Sequence, residues 1–540
     1  MAIEKNSHDA MGINQKRLME ILRKNQNTEY GKKYHFDQIH SVEDYIKQVP
    51  LTEYDTYEPY IERMTQGEKN LITAYPVELY ALTSGSAGKA KMIPVTKNAL
   101  AMYSKYSLPR AIALVAEYCK KSGRQLYRER SLITMEIRTQ YAPNGTPQEF
   151  ISSAISRIYK PIYRFTATSP MPVLLPQGNM NMLYMKARFA LENPSLSCMV
   201  GIFMSNFTDV MDYIKNNWKM LTDDIENGIV NDSMCDDAAK KKLAPYLKKN
   251  PKRAKELRRV FEEGFDTSIA TKIWKHLSWL SAVGTAGFAS QTEKMRTYVG
   301  DLPMDFSLLS PSEGMIAAAI CVNEDRFILL PGSCFYEFIP VSEGGFSDTT
   351  LTLDQLEVGK EYEVILTTEG GLYRYQLRDV IRVLDYKNTC PIIKFVYRKN
   401  VLANIVGEKT TIEQFDAAVE KMSNALGCRI YDYCVYVDLQ SFPGRYVILI
   451  EPDREIDADN EQLNRMMDKY LSEVAPKEEY YSIRRSNSIG EPSVLIQNPG
   501  THALWRIKKM EEGLSSAQIK PVRLLDMEEK KSFFMSRIKE

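Results

Sequence analysis

The chain has 540 residues, of which 44% are hydrophobic and 26% charged, and its 70 basic and 69 acidic residues leave a net charge of +1. That length exceeds what one compact core can fill, so two or more domains are expected. The composition excludes a disordered polymer, and the balanced charge offers no basic surplus for nucleic acid or an anionic membrane.

The opening stretch MAIEKNSHDAMGINQKRLMEILRK is charged throughout and has no apolar h-region, so no secretory signal is read there. The apolar segments SLITMEI, CMVGIF and HLSWLSAVGTAGFA are all shorter than the ~20 residues a membrane helix needs. A soluble cytoplasmic protein is expected. The cysteines contain no C-x-x-C pair, and Cys198, Cys321 and Cys434 lie in apolar runs, which predicts buried reduced thiols. Five histidines without H-E-x-x-H or Cys/His spacing give little support to a structural zinc or a His-based triad.

Leu18, Ile21 and Leu22 fall at the i, i+3, i+4 spacing of one buried helix face, and Ser41 with Asp44 predicts a capped helix ending before Pro50. From Val77 the pattern alternates. Strand VELYALT leads through SGSAGKAK into strand MIPVT, and one long helix follows with a kink at Pro109. Strands SLITMEI, CMVGIF, HLSWLSAV and DFSLLS are separated by helical stretches near 178–192, 206–221 and 290–299, which predicts mixed or parallel sheets covered by helices. The basic run 240–259 reads as a solvated helical hairpin whose apolar face is Leu243, Tyr246 and Leu247. Residues 314–397 are strand-like almost throughout, an antiparallel sheet or barrel. From about 400 the pattern becomes α+β. The expected division is a large domain 1–400, containing the β-rich unit 314–397, and a smaller domain 401–540, with the junction near 398–408.

The strongest local signal is Thr83-Ser84-Gly85-Ser86-Ala87-Gly88-Lys89-Ala90-Lys91 between two strands. Small hydroxyl and glycine residues let backbone N–H groups turn inward onto phosphate oxygens, and lysines add positive charge. Only two residues separate Gly85 from Gly88, and Ala90 follows Lys89, so this is no Walker loop. On the residues alone, a glycine-rich hairpin without a ligand stays open.

TSGSAGKAKMIPVT resembles the phosphate loop of the acyl-adenylate-forming enzymes, most closely the auxin-responsive (Gretchen Hagen) acyl-acid amido synthetases of plants and their bacterial relatives. Four further stretches match in order: SAVGTAGFASQTEKM (281–295), LSPSEG (309–314), TTEGGLYRYQLRDVI (367–381) with FVYRKNVLANIVGEK (395–409), and SAQIKPVRLL (516–525). The resemblance implies a firefly-luciferase-like α/β architecture: a large N-terminal domain of helix-covered sheets with a small β-barrel-like sheet, and a smaller C-terminal α+β domain that moves. It implies ATP and Mg²⁺ as cofactors, and an acyl acid and an amine, an amino acid, as substrates.

The resemblance assigns nucleotide contacts to Ser84, Gly85, Ser86, Ala87, Gly88 and Lys91 in the loop, and to Thr285 and Ser312 in the second and third stretches. Glu313 could ligate Mg²⁺, which takes one or two carboxylates plus phosphate oxygens; a salt-bridged surface glutamate is the alternative. Asp379 sits where relatives accept hydrogen bonds from the ribose hydroxyls, unless it pairs with Arg374, Arg378 or Arg382. Arg398 and Lys409 match nucleotide-contacting cations. Lys520 is the expected catalytic residue: carboxylate attack on the α-phosphate gathers negative charge that a cation from the second domain would stabilise. The chain departs from the family pattern at Leu309, where relatives have an adenine-stacking tyrosine, and at Pro311, Arg378 and Tyr397, all around the nucleoside. Two other readings stay open: a ligase with a thiol acceptor such as coenzyme A, and a nucleotide-binding homologue with little turnover.

Overall fold

The computed structural model describes residues 2–83, 91–265, 268–285, 288–342, 345–346, 349–398, 402–403, 405, 410–474, 480–485 and 488–539. Helix Ala10–Asn25 buries Leu18, Ile21 and Leu22, the face its spacing predicts. Its fully buried Asn14 donates to the carbonyls of Pro331 and Cys334 and accepts from the Tyr336 amide, which fixes the N-terminal segment to the central sheet. Helix Val42–Gln48 starts with the reciprocal Ser41–Asp44 capping box.

Four parallel strands form the first layer, in the order Arg130–Ile133, Leu196–Phe203, Trp279–Val283 and Met304–Asp305. Their continuous apolar runs suit a sheet covered on both faces. Helices Met182–Glu192, Met204–Asn227 and Ala289–Val299 lie between them in sequence. The long helix expected after strand 92–96 is two helices, Lys97–Tyr106 and Leu108–Ser122. Ser107 leaves helical geometry at ψ −118°, and Pro109 falls in the first turn of the second helix, where its missing N–H costs nothing. In the basic run, helices Asp237–Leu243 and Pro251–Glu262 flank a short turn. Leu243 is buried there, but Tyr246 is exposed.

Hairpin Val77–Leu82 and Met92–Thr96 belongs to a second sheet, completed by Pro147–Glu149 and Gln140–Tyr141. The β-rich stretch is an eight-stranded antiparallel sheet running from Gly345–Phe346 at one edge to Leu308–Leu309 at the other. One hydrophobic core joins residues from Ala10 to Ile393. Separate cores hold together residues 403–494 and the segments around Trp505 and Phe534. In that C-terminal region, helix Ile412–Leu426 opens on a Thr411–Gln414 capping box and closes on left-handed Gly427 at φ 62°. It covers the sheet Ile430–Asp438, Arg445–Pro452, Ser493–Ile496.

All cysteines are free, and Cys198 and Cys434 are buried, but Cys321 is only half-buried because its apolar run ends in a turn rather than a strand. Among the described residues no helix is long and apolar enough to cross a membrane.

Candidate active site

Hairpin 77–96 holds the ends of the glycine-rich loop together: the Thr83 amide donates to the Lys91 carbonyl, and Leu82 faces Met92. Ser84, Gly85, Ser86, Ala87 and Gly88 lie outside the described residues, as does Lys409. Lys91 sits beside the hairpin with its Nζ 5.1 Å from the Tyr54 ring centroid, and Tyr54 Oη accepts from the Met92 amide.

The return strand is fastened from behind. Gly370 approaches it so closely that an added Cβ would stand 2.2 Å from the Pro94 carbonyl oxygen. Neighbouring Glu369 is buried and accepts from Thr96 Oγ1 and from Arg17 of the first long helix. The stretch 309–314 crosses nearby. Tyr103 Oη donates to the Pro311 carbonyl at 2.6 Å, so the proline that departs from the family pattern offers its backbone oxygen as an anchor. Ser312 and Glu313 are half-buried, and among the described residues Glu313 forms no ion pair. Next to Glu313 lies a cavity of about 300 Å³ walled in part by Val95, Ala99, Met102 and Met315.

Asp379 does not pair with the nearby arginines that sequence allows. Arg374 is buried against Glu337 at 2.8 Å, Arg378 meets Glu53 and Glu363, and Arg382 meets Glu361. Instead, Arg398 Nε lies 3.0 Å from Asp379 Oδ1. Burial raises the Asp379 carboxyl, Arg398 opposes the rise, Glu313 adds to it and Lys520 opposes it. Arg398 is held more firmly protonated, first by Asp379. Arg378 occupies left-handed backbone, φ 69°, which accounts for a glycine there in the family pattern.

Lys520 reaches this cluster from the C-terminal segment. Surrounding protein lowers its pKa, Arg398 lowers it further, and Asp379 and Glu313 raise it. The side chain still meets solvent, so the lowering belongs to an open cleft lined by protein. Lys520 Nζ stands 5.9 Å from the Phe203 ring, whose plane stacks on Phe288 at 4.5 Å. Phe203 ends one parallel strand and Thr285 follows another, so the cleft opens at the carboxyl ends of the sheet, the usual ligand position in such folds. Burial pushes the Asp325 carboxyl up to about 6, with nearby Lys394 and Thr285 opposing the rise. Among the described residues Leu308–Leu309 forms an edge strand, and Leu309 presents no ring to a base.

Glu313, Asp379, Arg398 and Lys520 thus meet in one cleft, contributed by a loop, two adjacent strands and the C-terminal segment. Two carboxylates and two cations act on one another's charge there, which suits a ligand carrying both phosphates and hydroxyls. Sequence reasoning missed Glu136, Lys186, Phe203, Asn206 and Ser516, which support the segment carrying Lys520. A visible signal existed for two of them, since SLITMEI places Glu136, and YMKARF places Lys186 with Arg188, inside runs otherwise fit for burial.

Known proteins place the chain in a family. The chain matches the model of the GH3 family N-terminal domain over residues 1–304, the central domain over 327–398 and the C-terminal domain over 413–529. It is 28% identical over 476 residues to an Arabidopsis thaliana indole-3-acetic acid-amido synthetase, GH3.2, covering 83% of this chain and 85% of that one. It is 25% identical to the Arabidopsis thaliana 4-substituted benzoates-glutamate ligase GH3.12, covering 94% and 92%. The GH3.15 acyl acid amido synthetase structure superposes with a TM-score of 0.86 at 22% identity, covering 99% and 95%. A 2-hydroxyisobutyryl-CoA ligase in its postadenylation state shares the fold at a TM-score of 0.52 and 12% identity, covering 97% and 90%. The order of the motifs, the match to all three domain models and the superposition of nearly the whole chain agree: this protein belongs to the GH3 family.

Proposed function

We propose that this chain is an ATP-dependent acyl-acid amido synthetase. A carboxylate oxygen of the acid attacks the α-phosphorus of ATP and pyrophosphate leaves. An amine, an amino acid in our reading, then attacks the acyl carbon, AMP departs and the amine loses a proton. The observation that carries this reading is the convergence of Lys520 with Glu313, Asp379 and Arg398 in one cleft beside the root of the glycine-rich hairpin. The GH3 relatives named for amide formation support the same acceptor class.

In this reading the 83–91 loop cradles the phosphates. Asp379 accepts hydrogen bonds from the ribose hydroxyls, with Arg398 opposing the rise that burial gives its carboxyl. Thr285 and Ser312 line the nucleotide, and Lys409 adds a cation. Lys520 faces the charge that develops as the carboxylate meets the α-phosphate, where a positioned cation lowers the barrier most. Glu313 fits a Mg²⁺ site, being a carboxylate open to the cleft and committed to no ion pair among the described residues. Among those residues no group of three or more metal-ligating side chains exists, so phosphate oxygens and water would complete the shell. Mg²⁺ bound there would neutralise phosphate charge. The cavity beside Glu313 has the size of a small-ligand pocket and is our place for the acyl acid. The C-terminal domain, from about 401, then rotates to admit the amine. A cytoplasmic location belongs to the same proposal.

Lys520→Ala tests it. Acid-dependent exchange of pyrophosphate into ATP should be abolished while calorimetric ATP binding persists; undiminished exchange removes Lys520 from the mechanism. Products formed with glycine and with coenzyme A separate an amide-forming enzyme from a thioester-forming one. ATP binding by the unmodified chain without exchange across an acid panel would identify a binding protein instead.

A further inference from the structure

Four residues before Lys520, the C-terminal segment enters a buried ionic site of the large lobe. Lys186 is 2% exposed and Glu136 is fully buried, and their Nζ–Oε1 separation is 3.1 Å. Lys186 also donates to the Thr134 carbonyl at 2.5 Å. Its remaining contact is Ser516 Oγ at 2.7 Å, and that hydroxyl in turn donates to Glu136 Oε1 at 3.0 Å. Glu136 Oε2 is occupied by Arg138 Nε at 2.8 Å. One serine hydroxyl therefore completes both members of the pair, accepting from the ammonium and donating to the carboxylate. Burial alone would raise Glu136 and lower Lys186. Lys186 and Arg138 reverse the effect on Glu136 and keep it below its ordinary value, while Lys186 remains lowered.

The strand–helix junction at the end of strand 196–203 grips the same segment twice. Asn206 Oδ1 caps the Phe203 amide at 3.1 Å, and Asn206 Nδ2 donates to the Ser516 carbonyl at 3.2 Å. The Phe203 ring lies under Lys520 at 5.9 Å. Gln518, between the two, donates to Ser152 Oγ at 2.7 Å. The segment 516–520 is thus fixed at its start by a buried ion pair and at its end by an aromatic face, and one junction of the large lobe, 203–206, touches both ends. A buried lysine satisfied by a hydroxyl from another lobe prefers the arrangement in which that hydroxyl is present, since its absence leaves a donor to be rehydrated.

We propose that the Glu136–Lys186 pair is a socket for Ser516, and that docking of Ser516 there sets Lys520 in place for the adenylation half-reaction. Ser516, Lys186 and Glu136 are positioning residues acting through Lys520. The inference rests on the role given above to Lys520. Its consequence is an asymmetry between the half-reactions: the socket serves adenylation and is dispensable once the acyl-adenylate exists.

The full-length protein carrying Ser516→Ala is the first test, because the substitution removes one hydroxyl and leaves the buried pair intact. Hydrogen exchange of the 516–520 amides, which needs no substrate, should quicken in S516A and return towards the parent rate in Ser516→Thr. Among indole-3-acetate and substituted benzoates, the acid supporting the fastest pyrophosphate exchange serves as the kinetic probe. With it, kcat of exchange should fall about tenfold, the scale of one charge-assisted hydrogen bond, with the KM of ATP changed less than about twofold. Aminolysis of a chemically supplied acyl-adenylate should keep its parent rate. The socket is overturned if S516A leaves both amide exchange and pyrophosphate exchange unchanged, or slows the two half-reactions equally. If K520A itself keeps full exchange, the catalytic reading of Lys520 fails independently of the Ser516 result.

Discussion

Arg398 Nε forms an ion pair with Asp379 Oδ1 at 3.0 Å, and the two residues also face each other across the ladder between strands Tyr375–Lys387 and Cys390–Arg398. Backbone register and side-chain charge therefore position the same carboxylate. Removing it should remove ligand contacts without disturbing the acid site. We expect Asp379→Ala to raise the KM of ATP by about tenfold to a hundredfold, the range of one or two charge-assisted hydrogen bonds, with the KM of the acid changed less than about twofold. Steady-state exchange kinetics and ATP calorimetry check this, and equal losses for both substrates would contradict it.

Arg378 departs from the family's glycine, yet its guanidinium is engaged by Glu53 and Glu363 rather than by Asp379. Arg378→Gly relieves left-handed strain of about 1 kcal/mol and gives up a partly exposed ion pair of similar size. Both the melting temperature and the KM of ATP should stay near their parent values. A severalfold fall in KM would mean that Arg378 does hinder the nucleotide.

Across the two lobes, Arg506 meets Asp209 at 2.7 Å, and Gln291 donates to Asp432 at 2.9 Å. Burial pushes the Asp209 carboxyl up to about 6 even with Arg506 beside it. Arg506→Met strands that carboxylate, and we expect a loss of about 3 kcal/mol in chemical denaturation. The double variant with Asp209→Leu should recover part of the loss. Additive single effects would show that the pair does not couple the lobes.

Asp305 supplies the pH-dependent prediction. It accepts from Ser281 Oγ at 2.7 Å, its Oδ1 is buried without a hydrogen-bond partner, and burial pushes its pKa up to about 6 from 3.8. The folded state holds this proton more tightly than the unfolded state, so the stabilisation it gives is complete below pH 3.8 and is lost as pH rises through 6. Urea unfolding between pH 4 and 7 should therefore show a decline in the parent that Asp305→Asn lacks, on the order of 3 kcal/mol. Parallel pH profiles would contradict the assignment.

Much of this molecule is legible in its sequence because the relevant signals are local. The capping pair Ser41–Asp44, the buried face of Leu18, Ile21 and Leu22, and the hairpin around the glycine-rich loop follow from spacing and side-chain chemistry alone. The break at Ser107 was hidden because Pro109 has two readings, kinking one helix or starting a second, and tertiary packing chooses between them. The choice of Arg398 as the partner of Asp379 was hidden for another reason. Three nearer arginines compete in sequence, and each is claimed in space by a glutamate from a different strand or loop. The meeting of Glu136, Lys186 and Ser516 spans 380 positions of chain, far beyond any periodicity.

The close approach of Gly370 to Pro94 has a consequence for how the two lobes share their work. No residue with a side chain can stand at 370 without levering strand Met92–Thr96 off its support, and Glu369 fastens the same strand to the first long helix. The two feet of the hairpin therefore keep a fixed separation throughout the proposed rotation of the C-terminal lobe. In the proposed cycle one half of the machine is an abutment and the other swings, so inherited change in the swinging half would retune timing without unseating the triphosphate.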